Sequence, residues 1–274
     1  MRSKGLDPWQ EVWRAEVSKR KNGRQMIYIK SREEIELMKK AGQIAKGALT
    51  KAIEAVRPGI TTLELDKIAL DHILKCGAKP SFFKYNGFPK NICVSVNDEV
   101  VHGIPDNRVL SEGDIVSVDC GAFYKGFHGD CADTALCGKV SPEIEKLVLE
   151  TKNSFYVGMK KAIAKNRVGD VSYDIQSYIE NKGYSIVRDL EGHGIGASLH
   201  ESPSVPNFGM PGKGAKLMPG MTIAVEPMIN MGGYEVYIDK INDWTVKTVD
   251  RKCSSHYENT ILITNEEPII LTSL

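Results

Sequence analysis

Two short stretches of the chain resemble each other, and they decide which fold to expect. Arg57-Pro58-Gly59-Ile60-Thr61-Thr62-Leu63-Glu64-Leu65 aligns with Arg167-Val168-Gly169-Asp170-Val171-Ser172-Tyr173-Asp174-Ile175 at a shift of 110 residues. Arginine, glycine, a hydroxyl residue, an acid and a branched aliphatic residue coincide in order. Each stretch joins one segment of helical periodicity to the next. The match predicts two structural halves, each built from helices and antiparallel strands.

The segments around these stretches carry the signals of helices. Ser31-Arg32-Glu33-Glu34 and Thr61-Thr62-Leu63-Glu64 both have the pattern of a capping box. Apolar residues recur at helical spacing after the first box until Pro58-Gly59, and Gly77 can end the second helix. Ser141-Pro142 predicts the start of a third helix that runs to about residue 166, and a fourth is predicted from 170 to about 181.

Strand signals lie between and after the helix pairs. Residues 115–123 and 127–137 flank Tyr124-Lys125-Gly126 like the two arms of a hairpin, and Ile92 to Val96 alternate like a strand. Strand-like runs resume after the fourth helix. The sequence therefore predicts an α/β (α+β) fold with helices packed on a mainly antiparallel sheet.

Composition excludes several classes of protein. Hydrophobic residues make up 42%, charged residues 26%, and the formal net charge is +1, as in an ordinary soluble globular protein without a basic field for nucleic acid. No run of about 18 apolar residues indicates a membrane span. Six cysteines occur without a C-x-x-C pair, and no apolar N-terminal stretch resembles a signal peptide. We therefore expect reduced thiols in a cytoplasmic protein.

The charge is uneven at the N-terminus. Residues 1–30 hold eight lysines or arginines against three acids, a local excess of five positive charges. A solvated tail and a docking arm for an acidic partner such as ribosomal RNA are both compatible with this excess. Trp9 and Trp13, four residues apart, could instead pack onto the rest of the protein. We divide the chain into a basic N-terminal extension, residues 1–30, and a domain of residues 31–274.

Four acids interrupt patterns that predict strands. Asp119 closes the alternating run of residues 115–118, and Asp130 lies eleven residues further on, across the tight turn. Glu226 follows the apolar run of residues 221–225, and Glu258 shortly precedes that of residues 261–263. Taken alone, the two aspartates could merely end a strand or form a turn. Burying an unpaired carboxylate costs many kcal/mol, so these acids need charged partners.

A metal site would explain the acids together with His193. This histidine lies between Gly192 and Gly194, in a segment that lacks the spacing of the G-x-G-x-x-G fingerprint. A lone histidine is more often a core or surface residue. Four carboxylates, however, balance the charge of two divalent cations when a neutral imidazole is added. Ligands rich in oxygen favour Mn, Fe(II) or Co over a structural zinc ion.

The order and spacing of these residues resemble those of type I methionine aminopeptidases, from about Ser31 to Thr264. The resemblance implies the pita-bread fold, in which two pseudo-symmetric halves of helices pack on a curved sheet, with residues 31–274 as the catalytic domain. It also implies removal of the initiator methionine from nascent chains and peptides, with preference for a small second residue. The motifs that carry it are Asn97 to Pro105, Asp119, Phe127 to Asp130, Gly192 to Gly196, His200-Glu201, Glu226-Pro227-Met228 and Glu258-Asn259-Thr260.

The resemblance assigns the metal ligands. Asp119 binds one divalent ion, His193 and Glu226 bind the other, and Asp130 and Glu258 bridge the two. Two ions about 3.5 to 4 Å apart can share a water and lower its pKa towards about 7.

It also assigns catalytic roles. Glu226 is both ligand and proton shuttle, His200 hydrogen-bonds the developing oxyanion, and His102 contacts the substrate amide. Packing at a strand end is the alternative interpretation of His102.

By the same resemblance, Tyr85, Phe88, Cys93 and Trp244 form the methionine pocket, with His102 and His200 beside the substrate. Core packing is the alternative for each aromatic residue. Leu199 stands where bacterial members carry phenylalanine, and Phe82 where a cysteine is frequent, so the width of the pocket stays open.

Three other interpretations remain. Xaa-Pro aminopeptidases and prolidases share the five ligands but carry a large additional N-terminal domain. Type II methionine aminopeptidases carry a helical insertion in the second half, for which the 33 positions from His193 to Glu226 leave no room. A pita-bread protein that only binds its partner would be expected to lack ligands, and all five are present. We expect a monomer.

Overall fold

The computed structural model describes residues 26–274. The described helices are α1 (Arg32–Ala55), α2 (Thr62–Lys75), α3 (Pro142–Met159) and α4 (Val168–Glu180). Tyr85–Gly87 forms a short 3₁₀ turn. No described helix is long and apolar enough to cross a membrane. Most of the predicted basic extension, including Trp9 and Trp13, lies outside the described residues.

The capping boxes form as predicted. At α1 the Glu34 N–H donates to Ser31 Oγ at 3.3 Å, and the Ser31 N–H donates to the Glu34 carboxylate at 2.7 Å. Thr61 and Glu64 make the same pair of bonds at α2. The predicted end of α3 near residue 166 was wrong, because α3 ends at Met159. The Ala164 N–H donates to the carbonyl of Thr264 at 2.9 Å, so the segment after the helix bonds to a distant part of the chain instead of continuing the helix.

Fifteen strands are described. They are β1 (Lys79–Pro80), β2 (Cys93–Val96), β3 (Glu99–Val101), β4 (Ile115–Tyr124), β5 (Phe127–Leu136), β6 (Ser185–Ile186), β7 (Glu191–Gly194), β8 (Glu201–Pro206), β9 (Thr222–Val225), β10 (Met228–Asn230), β11 (Val236–Ile238), β12 (Val246–Thr248), β13 (Ser254–His256), β14 (Glu258–Leu262) and β15 (Ile269–Ile270). The largest sheet joins nine of them in the order β1-β4-β5-β14-β9-β7-β8, with β2 paired to β4 and β15 to β14. Every pairing in it is antiparallel.

The predicted hairpin forms β4 and β5. Both residues of its loop, Lys125 and Gly126, have positive φ, at 46° and 96°. Two such residues form the turn whose twist matches that of the flanking strands. The turn fixes the register, in which Tyr124 pairs with Phe127 and Ile115 with Leu136.

The helices pack on the strands in two pairs. Helices α1 and α2 bury Leu49 and Leu65 against alternate residues of β4, including Val118. In the second half, α3 and α4 bury Phe155 in a core shared with apolar residues of β9 and β14. They also contact β13, β10, β6 and β8. Because side chains alternate along a strand, the residues between these apolar positions point to the opposite face. The predicted α/β fold of two helix pairs on an antiparallel sheet is confirmed.

The two halves have matching backbone hydrogen bonds, but the residues that correspond are not separated by the 110 positions that the sequence alignment suggested. Gly59 donates its N–H to Leu110, and Leu110 donates back to Ile60; Lys165 and Leu217 repeat this exchange with Asn166. Gly59 therefore corresponds to Lys165, 106 residues away, so the alignment at 110 was one helical turn out of register. A shift of four residues keeps apolar residues on the same helical face, which makes the wrong alignment look convincing.

Lys30, at the predicted boundary, belongs structurally to the domain. Its N–H donates to the carbonyl of Gly220 at 2.9 Å, and its ammonium group is buried in an ion pair with Glu201. The division of the chain at residue 30 stays a prediction.

Candidate metal and substrate site

Five neighbouring strands bring the five predicted metal ligands to the free face of the large sheet. In sheet order they are Asp119 on β4, Asp130 on β5, Glu258 on β14, Glu226 immediately after β9, and His193 on β7. One residue from each strand therefore reaches a common pocket, which all five line.

The hairpin register explains why the two aspartates meet. Asp119 pairs with Ala132 and Asp130 with Gly121, so the aspartates are diagonal neighbours on one face. Their carboxyl groups are close enough to shift each other's pKa through a hydrogen bond. Thr260 on β14 fixes the backbone of Asp130, since its hydroxyl accepts from the Asp130 N–H at 2.9 Å and lies 2.9 Å from the Asp130 carbonyl.

His193 is oriented by its own strand. Its Nδ1 lies 2.9 Å from the carbonyl of Gly194 and can only donate there, which makes Nε2 the nitrogen with the lone pair. Nε2 lies 3.7 Å from Oε1 of Glu226. A Cβ on Gly192 would come within 2.4 Å of the carbonyl of Ala224, so glycine is required there for β7 to approach β9.

The acids are buried without enough partners. Asp119 Oδ1, Asp130 Oδ1 and Glu258 Oε1 accept no hydrogen bond within the described part of the chain. Burial raises the pKa of Asp130 to about 7. Burial, followed by repulsion from neighbouring carboxylates, raises the pKa of Asp119, Glu226 and Glu258 well above their usual values. So much uncompensated negative charge is costly without a cation.

The donor set fits divalent cations. One ligand atom from each of Asp130, His193 and Glu258 lies within 4.8 Å of the others, and the same holds for Glu226, His256 and Glu258. Asp119 lies in neither group and joins the site through its contact with Asp130.

The two other predicted histidines lie at the same pocket. The Tyr85 hydroxyl lies 2.7 Å from Nδ1 of His200, and the His200 ring lies edge-on to that of His193 at 4.1 Å between centroids. His102 has a positive φ of 59° and stands 6.5 Å from the Trp244 ring. Burial lowers the pKa of His102 to about 4, so this ring is neutral at neutral pH.

The predicted substrate residues line the same pocket as the metal ligands. Phe88 and Trp244 meet edge to face at 5.0 Å, with Cys93 buried beside them. Leu199 and Phe82 also line this pocket and are nearly fully buried, so both contribute to its shape. Sequence reasoning did not find Val101, Leu190, Glu191 and Met228, which complete the wall with Asn86.

His256 is the chemically important residue that sequence reasoning missed. It lies 3.8 Å from both Glu226 and Glu258 and is 2% exposed. Its position two residues before Glu258 places it on the same side of the chain, and that spacing was the available signal. Burial, and secondarily the charge of His102, lower the pKa of His256 to about 3.

Comparisons with known proteins agree with this architecture. Residues 36–265 match the model of metallopeptidase family M24. The chain is 53% identical to a methionine aminopeptidase of Clostridium perfringens, over 90% of this chain and 99% of that protein. The crystal structure of methionine aminopeptidase from Thermotoga maritima superposes with a TM-score of 0.89 at 43% identity, covering 91% of this chain and 100% of that one.

A prolidase from Pyrococcus furiosus has the same fold, with a TM-score of 0.72 at 23% identity, but this chain covers only 65% of its length. The fold and the family match define a metallo-aminopeptidase. The chain belongs to the methionine aminopeptidases of metallopeptidase family M24.

Proposed function

We propose that this protein hydrolyses the N-terminal methionine from new polypeptides and peptides with a small second residue. Asp119, Asp130, His193, Glu226 and Glu258 would hold two divalent cations, Co, Mn or Fe(II). The observation that carries the proposal is the set of buried carboxylate oxygens without hydrogen-bond partners among the described residues, on Asp119, Asp130 and Glu258. Four clustered acids beside a neutral imidazole balance two divalent charges.

The chain's own residues divide the remaining work. When bound, divalent cations supply Lewis-acid activation of a water and of the scissile carbonyl. The carboxylate of Glu226 lies at the pocket and carries a proton to the leaving amine. In the absence of a cation, burial and then repulsion from Asp130 raise the pKa of Glu226, so its charged form needs a cation beside it.

His200 donates to the oxyanion. When the Tyr85 hydroxyl donates to Nδ1 of His200, Nε2 carries the proton. That tautomer is the one an oxyanion donor needs, so Tyr85 sets both the orientation and the protonation of the ring.

His102 and the aromatic wall bind the substrate. The neutral His102 ring contacts the peptide amide without adding a charge to the metal site. Tyr85, Phe88, Cys93 and Trp244 enclose the methionine side chain, because aromatic edges and a buried thiol suit a flexible thioether. Leu199 and Phe82 adjust the width of this space.

Hydrolysis of Met-Ala-Ser against Ala-Pro-Gly, by the metal-depleted protein with and without added Co(II), Mn(II) or Fe(II), tests the proposal. We expect metal-dependent release of methionine and little action on Ala-Pro-Gly. Preference for Ala-Pro-Gly would instead assign a prolidase-like specificity, and metal-independent release would contradict the site. Binding of Met-Ala-Ser without turnover at any metal would indicate a binding protein.

We further propose that the protein acts in the cytoplasm, as a monomer, with its basic extension docked on ribosomal RNA. The six cysteines, all unpaired thiols, suit a reducing compartment. Residues 1–25, without the buried Lys30, hold seven lysines or arginines against three acids, and this excess of four positive charges supports the docking.

Truncation tests the docking. Since Lys30 belongs to the domain, we would delete residues 1–25 and measure tripeptide hydrolysis and ribosome co-sedimentation. We expect unchanged hydrolysis and weaker co-sedimentation, with the extension-dependent binding lost between about 50 and 200 mM salt. Equal co-sedimentation of the full-length and truncated proteins at low salt would rule docking out. A lower melting temperature of the truncated protein would favour packing of the extension onto the domain.

A further inference from the structure

The imidazole of His256 is buried beside two of the proposed metal ligands. Its Nε2 has no hydrogen-bond partner in the described residues, and the side chain is 2% exposed. Leaving a buried imidazole nitrogen unsatisfied costs about 1–3 kcal/mol. Such a group in a native protein needs an explanation, and its two nearest acidic neighbours are both proposed metal ligands.

The backbone holds this imidazole in place before any ligand arrives. On β13, the His256 N–H donates to Thr134 Oγ1 at 3.1 Å, and the same oxygen lies 2.9 Å from the His256 carbonyl. Thr134 is on β5, four residues beyond Asp130 on the same face. The far side of β13 is fixed by pairing with β10, where His256 faces Met228.

The distances fit shared coordination better than direct hydrogen bonding. Nε2 of His256 lies 3.8 Å from Oε2 of Glu226 and 3.8 Å from Oε2 of Glu258. An N–H···O bond spans about 2.7 to 3.2 Å, so neither contact is one. Two ligand atoms each about 2.1 Å from one cation can be separated by up to about 4.2 Å.

Glu226 is flanked by two imidazoles. Its Oε1 lies 3.7 Å from Nε2 of His193, and its Oε2 lies 3.8 Å from Nε2 of His256. The two nitrogens thus face different oxygens of the same carboxylate. The group formed by Glu226, His256 and Glu258 has ligand atoms that all lie within 4.8 Å of one another.

We propose that His256 is a sixth protein ligand of the site and coordinates a divalent cation through Nε2, together with Glu226 and Glu258. The inference rests on the proposed function only in that the pocket binds metal. A second imidazole makes the donor set richer in nitrogen. Imidazole favours Fe, Ni, Cu and Zn relative to Mn and Mg, so His256 tunes which metal the protein retains.

Paramagnetic NMR of the full chain loaded with Co(II) tests the coordination. A cobalt-bound imidazole gives a strongly shifted, exchangeable N–H resonance. We expect two such resonances, from His193 and His256, and the loss of one in His256→Gln. His72→Gln is the matched control, because His72 lies on α2, outside the pocket. His256→Asn provides a second variant if the glutamine variant folds poorly.

Calorimetric titration of the metal-depleted protein gives an independent measure. His256→Gln should weaken Co(II) binding by at least about tenfold, since even outer residues of metal sites contribute about 10- to 100-fold. Mn(II) binding should weaken less. Wild-type protein with one shifted resonance, or unchanged Co(II) affinity in His256→Gln, would overturn the proposal.

The tripeptide assay separates this inference from the proposed function. Two shifted resonances in a protein that does not hydrolyse Met-Ala-Ser would support His256 as a ligand and refute the aminopeptidase assignment. Hydrolysis of Met-Ala-Ser by a protein with a single shifted resonance would support the aminopeptidase assignment and refute His256 as a ligand.

Discussion

The two halves of the molecule share a frame but contribute differently to the site. In both, a residue with positive φ, Gly59 or Lys165, precedes the second helix of the pair by three residues. Both donate a backbone hydrogen bond to a buried leucine, Leu110 or Leu217, whose own N–H donates to the residue that follows the donor. The helix N-termini are also alike, since Glu64 and Asp170 each accept from the backbone N–H three residues earlier.

The site does not follow this symmetry. The first half supplies two aspartates from a single hairpin, whereas the second supplies Glu226, Glu258 and His193 from three strands. The two imidazoles proposed as ligands, His193 and His256, both come from the second half. The repeated frame thus sets where side chains can converge, while the identity of those side chains differs between the halves.

The largest effect is expected from removing a charge in the first half. Asp119→Asn should lower affinity for one metal by about 100-fold or more, because a ligand should matter at least as much as the residues around it. The stability of the metal-free protein should hardly fall, since burial and neighbouring acids already raise the pKa of Asp119 and disfavour its charge. Calorimetric metal titration and thermal unfolding of the metal-free variant measure the two quantities.

Asp133→Asn is the control for this change. Asp133 lies on the same hairpin, pairs with Val118 on the face covered by helices, and makes a 3.6 Å ion pair with Lys152. It should leave metal affinity unchanged. Full activity of Asp119→Asn at limiting metal would remove Asp119 from the ligand set.

In the second half, His200→Ala should retain metal binding and lose about 10² to 10³ in kcat, the usual loss for an oxyanion donor. Steady-state kinetics on Met-Ala-Ser at saturating metal provide the measurement. An unchanged kcat would mean that His200 is no more than part of the pocket wall.

A smaller effect tests how His200 is held. Tyr85→Phe removes the hydroxyl that lies 2.7 Å from Nδ1 of His200 but keeps the aromatic wall. Losing one such bond is worth about 1 kcal/mol, so kcat should fall about fivefold with little change in KM. A rise in KM with constant kcat would instead place the hydroxyl in substrate binding.

The sequence predicted the strands of the site well because the acids break apolar patterns. Glu226 and Glu258 are conspicuous beside runs of isoleucine and valine, and the hairpin turn is encoded by Lys125-Gly126. The sequence did not indicate His256 as a site residue, because it follows two serines, Ser254 and Ser255, and so does not interrupt an apolar run. The end of α3 was missed for the opposite reason: Ala162 and Ala164 continue to be buried after the helix has stopped.

The smallest predicted effect tests the equivalence of the halves directly. A Cβ on Gly59 would meet no other heavy atom within 4 Å, so Gly59→Ala should be destabilising only through its φ of 89°. Left-handed backbone costs a non-glycine residue about 1–2 kcal/mol, offset by about 0.4–1 kcal/mol from the less flexible unfolded chain. We expect a net loss of about 1 kcal/mol.

Lys165, with a φ of 82°, already bears this cost in the second half, so Lys165→Gly should stabilise the protein by about 0.5 kcal/mol. Urea unfolding of the metal-free variants measures both changes, and equal m-values would show that neither substitution alters the surface exposed on unfolding. Opposite signs at the two positions are the signature of one backbone conformation used twice. If Lys165→Gly destabilised the protein as much as Gly59→Ala, the two links would not be energetically equivalent, and the repeat would extend only to their hydrogen bonds.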